Sequence, residues 1–190
     1  MEYEQDQVYQ PREDTFLLRD AALTEVRSED RVLEVGCGSG AVIAALKERT
    51  AIVVATDINP HAVRAGRERG VETVRTDLVA GLCGPFDLVL FNPPYLPTLP
   101  EERIDDWLEY ALDGGPTGRE TIERFASEVG RVLAPSGRIL LLVSSLTEPD
   151  KVRQLFADLG YTVLLVATEE IEGEELMVFR ITRDLCTCRA

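Results

Sequence analysis

A short apolar run, Arg31 to Val35, stops at the alternating glycines of Leu33-Glu-Val-Gly-Cys-Gly-Ser-Gly40, and a helical pattern with Val42, Ile43 and Leu46 on one side opens directly behind them. Strand, tight turn and helix in that order point to an α/β sheet, where an apolar strand is buried between helices. Gly36, Gly38 and Gly40 lack a Cβ, so the backbone can take positive φ and a ligand can reach the main chain at the helix N-terminus. The G-x-G-x-G spacing departs from the G-x-G-x-x-G of the dinucleotide fingerprint, which argues against a pyrophosphate and leaves room for a smaller nucleoside. A glycine turn that only joins strand to helix would look the same locally, so the following units must decide.

Ala51-Ile-Val-Val-Ala-Thr56 reads as a buried parallel strand ending in Asp57. An acidic residue about 20 positions past the first glycine, at the end of the second strand, is placed to accept hydrogen bonds from ribose hydroxyls. Asn59-Pro60 follows, so Asp57 also suits a helix start, and the two roles are compatible. A third strand, Val71 to Arg75, ends in Thr76-Asp77-Leu78. Asp77 is there either to accept from an exocyclic amine such as adenine's or as a solvated turn aspartate.

The fourth apolar run, Phe86-Asp-Leu-Val-Leu-Phe91, leads straight into Asn92-Pro93-Pro94-Tyr95. Taken alone this is a proline-rich turn, since Asn-Pro and Pro-Pro break regular structure. Together, however, Glu34-x-Gly36-x-Gly38-x-Gly40, Asp57, Asp77 and Asn92-Pro93-Pro94-Tyr95, in this order and spacing, resemble the class I S-adenosylmethionine-dependent methyltransferases. The closer resemblance is to the HemK-like family that methylates glutamine in translation release factors. Tyr9-Gln-Pro-Arg-Glu-Asp-Thr-Phe16, Trp107, Asp113-Gly-Gly-Pro-Thr-Gly-Arg-Glu120 and the short N-terminus are similar to its compact archaeal and eukaryotic branch, which lacks the bacterial N-terminal helical domain.

The resemblance implies a Rossmann-like, seven-stranded sheet of order 3-2-1-4-5-7-6, with the last strand antiparallel and helices on both faces. It implies one methyltransferase domain over 1–182, opening with a cofactor-closing segment and helix at 1–27; the tail 183–190 has no counterpart. It assigns Glu34 and the Gly36, Gly38 and Gly40 turn to the methionine part of S-adenosylmethionine, Asp57 to its ribose, and Asp77 with Leu78 to its adenine. Tyr9 and Thr15 would close the pocket. Asn92, which borders the cofactor, would act with Pro93, Pro94 and Tyr95 on the target. It further implies a class 1 release factor as protein substrate and a small zinc-binding activator as heterodimer partner. The activator would sit on the edge strand Val71 to Arg75, beside Leu78, Val79 and Leu82.

The chemistry of such a target explains the motif. An amide or aniline-like nitrogen is a poor nucleophile because its lone pair is delocalised, by enough to set a rotation barrier of about 18–20 kcal/mol in amides. If the Asn92 side-chain oxygen and the Pro93 carbonyl each accept one N–H of the target, they aim the nitrogen and favour its pyramidal form. Tyr95 is suited to stack on a flat amide or base. No metal is required. Adenine offers the same planar NH₂, so N6-adenine methylation of DNA or RNA is a second expectation, disfavoured by the absence of a basic stripe. A non-catalytic cofactor-binding subunit is a third, and it would have no need of Asn92 to Tyr95.

The remaining chain reads as scaffold. Ile122, Phe125, Ala126, Val129 and Leu133 predict a helix from Arg119 to Leu133, ended by Pro135-Ser-Gly137 before a strand from Arg138 to Ser144. Val152, Leu155, Phe156 and Leu159 mark another helix. Strands near Thr162 to Ala167 and Leu176 to Thr182 are expected as an antiparallel pair joined by the acidic segment Thr168 to Glu175. Trp107 is either part of a substrate-facing loop or an ordinary core aromatic. Cys37 and Cys83 read as small space-fillers, Cys186 and Cys188 as unexplained, and His61 as a surface residue at a helix start.

The start Met-Glu-Tyr-Glu-Gln-Asp lacks the basic and apolar regions of a secretory signal, and no 18-residue apolar span appears, which predicts a cytosolic protein with no membrane partner. Net charge is −14, and Lys47 and Lys151 are the only lysines among 20 basic residues. That balance predicts adaptation to a high-salt cytoplasm such as a halophilic archaeon's, where screening reduces the self-repulsion of an acidic surface. Thermal melting should therefore rise from dilute to molar salt; equal melting temperatures in both would contradict it.

Overall fold

The computed structural model describes residues 4–103 and 106–184. Seven strands, β1 (Arg31–Val35), β2 (Ile52–Asp57), β3 (Glu72–Arg75), β4 (Phe86–Phe91), β5 (Leu133–Ser144), β6 (Tyr161–Ile171) and β7 (Glu174–Arg183), form one sheet of order β3-β2-β1-β4-β5-β7-β6. β1 pairs in parallel with β2 and β4, β2 with β3, and β4 with β5, while β7 runs antiparallel to β5 and β6. Order and reversed strand match the expectation.

Among the described residues five α-helices flank the sheet: α1 (Glu13–Glu25), α2 (Ala41–Leu46), α3 (Pro60–Glu68), α4 (Glu120–Val129) and α5 (Pro149–Asp158). Alternate residues of the central strands are buried on opposite faces, as the period of two requires. Val89, Phe91, Leu141 and Phe179 join Phe125 and Val129 of α4 and Val152 and Phe156 of α5 in one core. Leu88, Leu90 and Leu142 join Leu18 and Ala22 of α1 and Ile43 and Leu46 of α2 in the other. With both faces covered, the strands read as continuous apolar runs rather than alternating ones. No helix among the described residues is long and apolar enough to cross a membrane.

Two boundaries differ from expectation. α4 stops at Val129, and β5 already begins at Leu133, so Pro135-Ser-Gly137 lies within a strand. The proline is tolerated because the ladder is broken there: the register with β4 shifts between the Phe86↔Leu133 and Leu88↔Arg138 pairs. The acidic segment expected to join β6 and β7 is mostly strand as well, with Thr168↔Met177 and Glu169↔Leu176 in register and the turn confined to Glu172-Gly173. Glu169 and Glu170 are exposed on this outermost strand, where charge discourages edge-to-edge association.

A buried ion pair ties α1 to the sheet. Arg138 of β5 and Asp30 are 5% and 3% exposed, and Nη2 of Arg138 lies 2.7 Å from Oδ2 of Asp30. The same nitrogen donates to the carbonyl of Glu25 at the end of α1. Asp30→Ala leaves the guanidinium buried without its nearest counter-charge, so stability should fall by about 3–5 kcal/mol in urea denaturation. A loss below about 1 kcal/mol, the scale of an exposed pair, would contradict this.

Candidate active site

The motifs meet at the C-terminal ends of the parallel strands. Val35 is level with Thr56 of β2 and Phe91 of β4, and Asp57 is level with Arg75 of β3. The glycine turn, Asp57, Asp77 and Asn92 therefore emerge side by side around a cavity of about 980 Å³. Tyr9, Thr15, Glu34, Gly36, Gly38, Asp57, Asp77, Leu78 and Asn92 to Tyr95 all line it. Gly40 is placed differently: it is the N-cap of α2, and an added Cβ would press on the backbone of Gly66 in α3 at 3.2 Å, so its contact is with a helix.

Two carboxylates shape the turn. The Cys37 N–H donates to the Thr56 carbonyl at 3.0 Å, fixing the turn to β2. Asp57 accepts the Gly38 N–H at 2.9 Å and the Asn59 N–H at 2.8 Å. The helix-cap role belongs to Asn59, whose side chain accepts the His61 N–H at 2.8 Å. Glu34 is on the α2-facing side of β1 and accepts the Ile43 N–H at 3.0 Å, satisfying an orphan donor in the first turn of a helix whose glycine N-cap has no side chain to do so. Gly36 has φ +64, and a Cβ there would touch the Phe91 ring at 3.4 Å, so main chain rather than side chain faces the cavity.

Burial dominates the electrostatics. It raises the Glu34 carboxyl from 4.5 to about 8; the Ile43 N–H opposes the rise and the neighbouring Asp57 charge adds to it. Burial also raises Asp57, against the N–H groups of Asn59, Gly38 and Ile58. Acceptors are thus concentrated at the turn. Two arginines that reach the rim are already paired, Arg124 with Asp77 at 2.5 Å and Arg103 with Asp113 at 2.7 Å.

The N-terminal segment closes the cavity from above. Glu4 N–H donates to His61 Nδ1 at 3.1 Å, Asn59 Nδ2 donates to the Gln7 carbonyl at 2.7 Å, and the Trp107 N–H donates to Gln7 Oε1 at 3.2 Å. Tyr9 donates its hydroxyl to Asp14 Oδ2 at 3.0 Å, and Asn92 Nδ2 donates to the same oxygen at 2.9 Å. Oδ1 of Asn92 is buried and has no hydrogen-bond partner among the described residues. Burial raises the phenols of Tyr9 and Tyr95, with the Asp14 charge as the next cause.

The loop after β4 is held by the Asp113-Gly-Gly-Pro segment. Leu96 N–H donates to the Leu112 carbonyl at 3.1 Å, and Gly114 N–H returns a bond to Leu96 at 2.9 Å. Gly118 packs so closely that a Cβ would lie 2.5 Å from the Tyr95 carbonyl oxygen, so this glycine is required by backbone approach. Trp107 belongs to the cavity wall rather than the core, with the Arg75 guanidinium 5.5 Å from its ring centre and Tyr110 at 5.4 Å. Cys37 is buried as expected; Cys83 is exposed and fills no space. Cys186 and Cys188 lie outside the described residues. Asp14, Gln7, Asn59 and Arg124 are site residues that pattern reading did not single out. Asp14 carried a signal in its place within the Tyr9 to Phe16 segment, and Asn59 in its place before Pro60 at a helix start.

Strand order, the single reversed strand and an acceptor-lined cavity over a glycine turn define the class I S-adenosylmethionine-dependent methyltransferases, and a methyltransferase-domain model matches residues 32–113. A Methanocaldococcus jannaschii protein provisionally named a protein N5-glutamine methyltransferase is 39% identical over 184 residues, 93% of this chain and 92% of that protein. Human methyltransferase HEMK2 is 35% identical, covering 93% and 90% respectively. The solved E. cuniculi Mtq2–Trm112 complex, described as responsible for methylating the termination factor eRF1, contains a chain that matches with TM-score 0.78 and 31% identity over 93% of this chain and 99% of that one. The chain belongs to the HemK-like family of protein glutamine N5-methyltransferases.

The cavity suits the cofactor of that class. S-adenosylmethionine is a cation with hydroxyl and amine donors, and the lining offers buried carboxylates and glycine main chain in a volume typical of small-molecule sites. A testable consequence follows from Glu34. With its folded value raised to about 8 from 4.5, the ligand-free protein holds a proton that the unfolded chain has lost, so this contribution to stability is full below about pH 4.5 and fades as pH rises through about 8. Glu34→Gln should flatten that decline in chemical denaturation between pH 5 and 8.5. Identical pH dependence in variant and parent would contradict the shift.

Proposed function

We propose that this chain methylates the side-chain amide of the glutamine in the Gly-Gly-Gln loop of a class 1 translation release factor. The observation that carries the reading is the buried Oδ1 of Asn92, which has no hydrogen-bond partner among the described residues, in a side chain that lines the cavity with the glycine turn. A buried acceptor without a donor is unfavourable in the ligand-free protein and is relieved by a ligand that brings an N–H. Relatives named for glutamine methylation, and a similar chain in a complex that methylates a termination factor, support the amide as that ligand.

S-adenosylmethionine supplies the electrophilic methyl group. In the proposed assignment Glu34, Gly36 and Gly38 hold its methionine end, Asp57 its ribose, and Asp77 with Leu78 its adenine, while Tyr9 and Thr15 close over it. Asn92 Oδ1 and the Pro93 carbonyl accept the two N–H bonds of the glutamine amide, aim the nitrogen and weaken its conjugation, and Tyr95 stacks on the amide plane. The nitrogen takes the methyl carbon as that carbon's bond to sulfur breaks, which leaves the thioether S-adenosylhomocysteine, and it gives up one proton to water.

A small zinc-binding activator is the proposed partner, acting with this chain in the cytosol. β3 is a four-residue strand paired only to β2 among the described strands, and it leaves an edge open for strand addition. The similar chain in the Mtq2–Trm112 complex also works with a second protein.

The test is transfer of labelled methyl to release factor, to its Gln→Ala loop variant and to adenine-containing oligonucleotides, in the presence of the activator. Only the intact loop should be labelled. Asn92→Ala should slow transfer by roughly 10²–10³-fold, the loss typical of one preorganised transition-state contact, with cofactor affinity nearly unchanged. Labelling of the oligonucleotide alone, or full activity of the variant, would overturn the reading.

A further inference from the structure

The side-chain amide of an asparagine is nearly symmetric in shape, so nothing about its outline decides whether oxygen or nitrogen faces a substrate. In this protein the decision is made on the other side of Asn92. Asp14 is 4% exposed, in the first turn of α1, where the helix end favours a negative charge. Its Oδ1 is occupied by the Thr15 N–H at 2.6 Å and the Thr15 hydroxyl at 3.1 Å; its Oδ2 receives the Tyr9 hydroxyl and Asn92 Nδ2. An ionised carboxylate only accepts. The Asn92 nitrogen must therefore point at Asp14, and its oxygen must point the other way.

From this geometry we infer that Asp14 is a positioning residue that sets the polarity of the catalytic amide, so that Asn92 presents an acceptor to the substrate. The inference rests on the proposed methyl transfer to an amide nitrogen, and it adds the residue that makes Asn92 competent for it. Tyr9 shares the same carboxylate oxygen, so the segment that closes over the cofactor and the group that orients the target nitrogen are fastened to one atom.

An isosteric change makes the distinction sharp. In Asp14→Asn the Thr15 N–H still demands an acceptor, so the new amide turns its oxygen toward Thr15 and its NH₂ toward Asn92. Asn92 then flips, and its own NH₂ faces the substrate donors. A second exchange, Asn92→Asp in the Asp14→Asn background, restores the pattern: a carboxylate at 92 accepts from the amide at 14 with one oxygen and offers the other to the substrate.

The experiment compares parent, Asp14→Asn and the double variant in single-turnover methyl transfer to a Gly-Gly-Gln peptide with activator present, alongside S-adenosylhomocysteine affinity by calorimetry. Asp14→Asn should lose about 10²-fold in rate while affinity stays within a factor of a few, and the double variant should recover at least about tenfold of that loss. A group that merely supports the fold would tolerate the isosteric change and show no rescue. Turnover at the parent's rate in Asp14→Asn, or a double variant no faster than the single one, overturns the inference. Independently of turnover, selective ¹⁵N labelling of asparagine follows the Asn92 NH₂: exchange with solvent should be slow in the parent and faster in Asp14→Asn, and equal exchange also overturns it. A parent that does not label the peptide at all refutes the proposed function, and the exchange result still decides the role of Asp14.

Discussion

Parallel pairing in register is the constraint on which the site depends. Because β1 is paired residue for residue with β2 and β4, and β2 with β3, their C-terminal ends stop nearly level. The chain can then turn out of the sheet at neighbouring points, and each turn contributes one group: main chain after β1, a carboxylate at the end of β2, another after β3, an amide after β4. A slip of one residue in any pair would turn alternate side chains to the opposite face and bury the wrong groups. The cores on the two faces, which share no residue, hold that register.

The site this produces is rich in acceptors. Glu34 and Asp57 are buried near each other and each is compensated by backbone N–H groups of the turn or helix it supports. Their raised carboxyl values express first of all their burial, with the Asp57 charge adding to the rise at Glu34. Carboxyl groups and glycine main chain around the cavity suit the hydroxyl and amine donors of a sulfonium nucleoside.

Much of this was legible from residue order alone. The strands themselves, the acidic residues at strand ends and the asparagine motif follow from local pattern because each lies within a short window, while the strand order came from the resemblance those motifs carry. What was not legible depends on contacts far apart in sequence. Asp14 looks like an ordinary acid at a helix start, and its bond to Asn92 spans 78 positions. Gly40 carries the same letter as Gly36 yet serves helix packing, a difference set by where α3 falls. The acidic residues of β6 are strand because pairing with β7 overrides their weak intrinsic preference, whereas Pro135-Ser-Gly137 sits where the register of β5 with β4 shifts.

Asn92 ties these observations together: its nitrogen is engaged, its oxygen is vacant of partners among the described residues, and it stands at the end of the central strand β4. The measurement that bears most directly on its role is a crystal structure of the chain, with the proposed activator, bound to S-adenosylhomocysteine and a Gly-Gly-Gln peptide. The glutamine NH₂ should lie within hydrogen-bond distance of Asn92 Oδ1, with its nitrogen turned toward the cofactor sulfur. A glutamine lodged elsewhere, or an Asn92 whose nitrogen rather than oxygen meets it, would contradict the account.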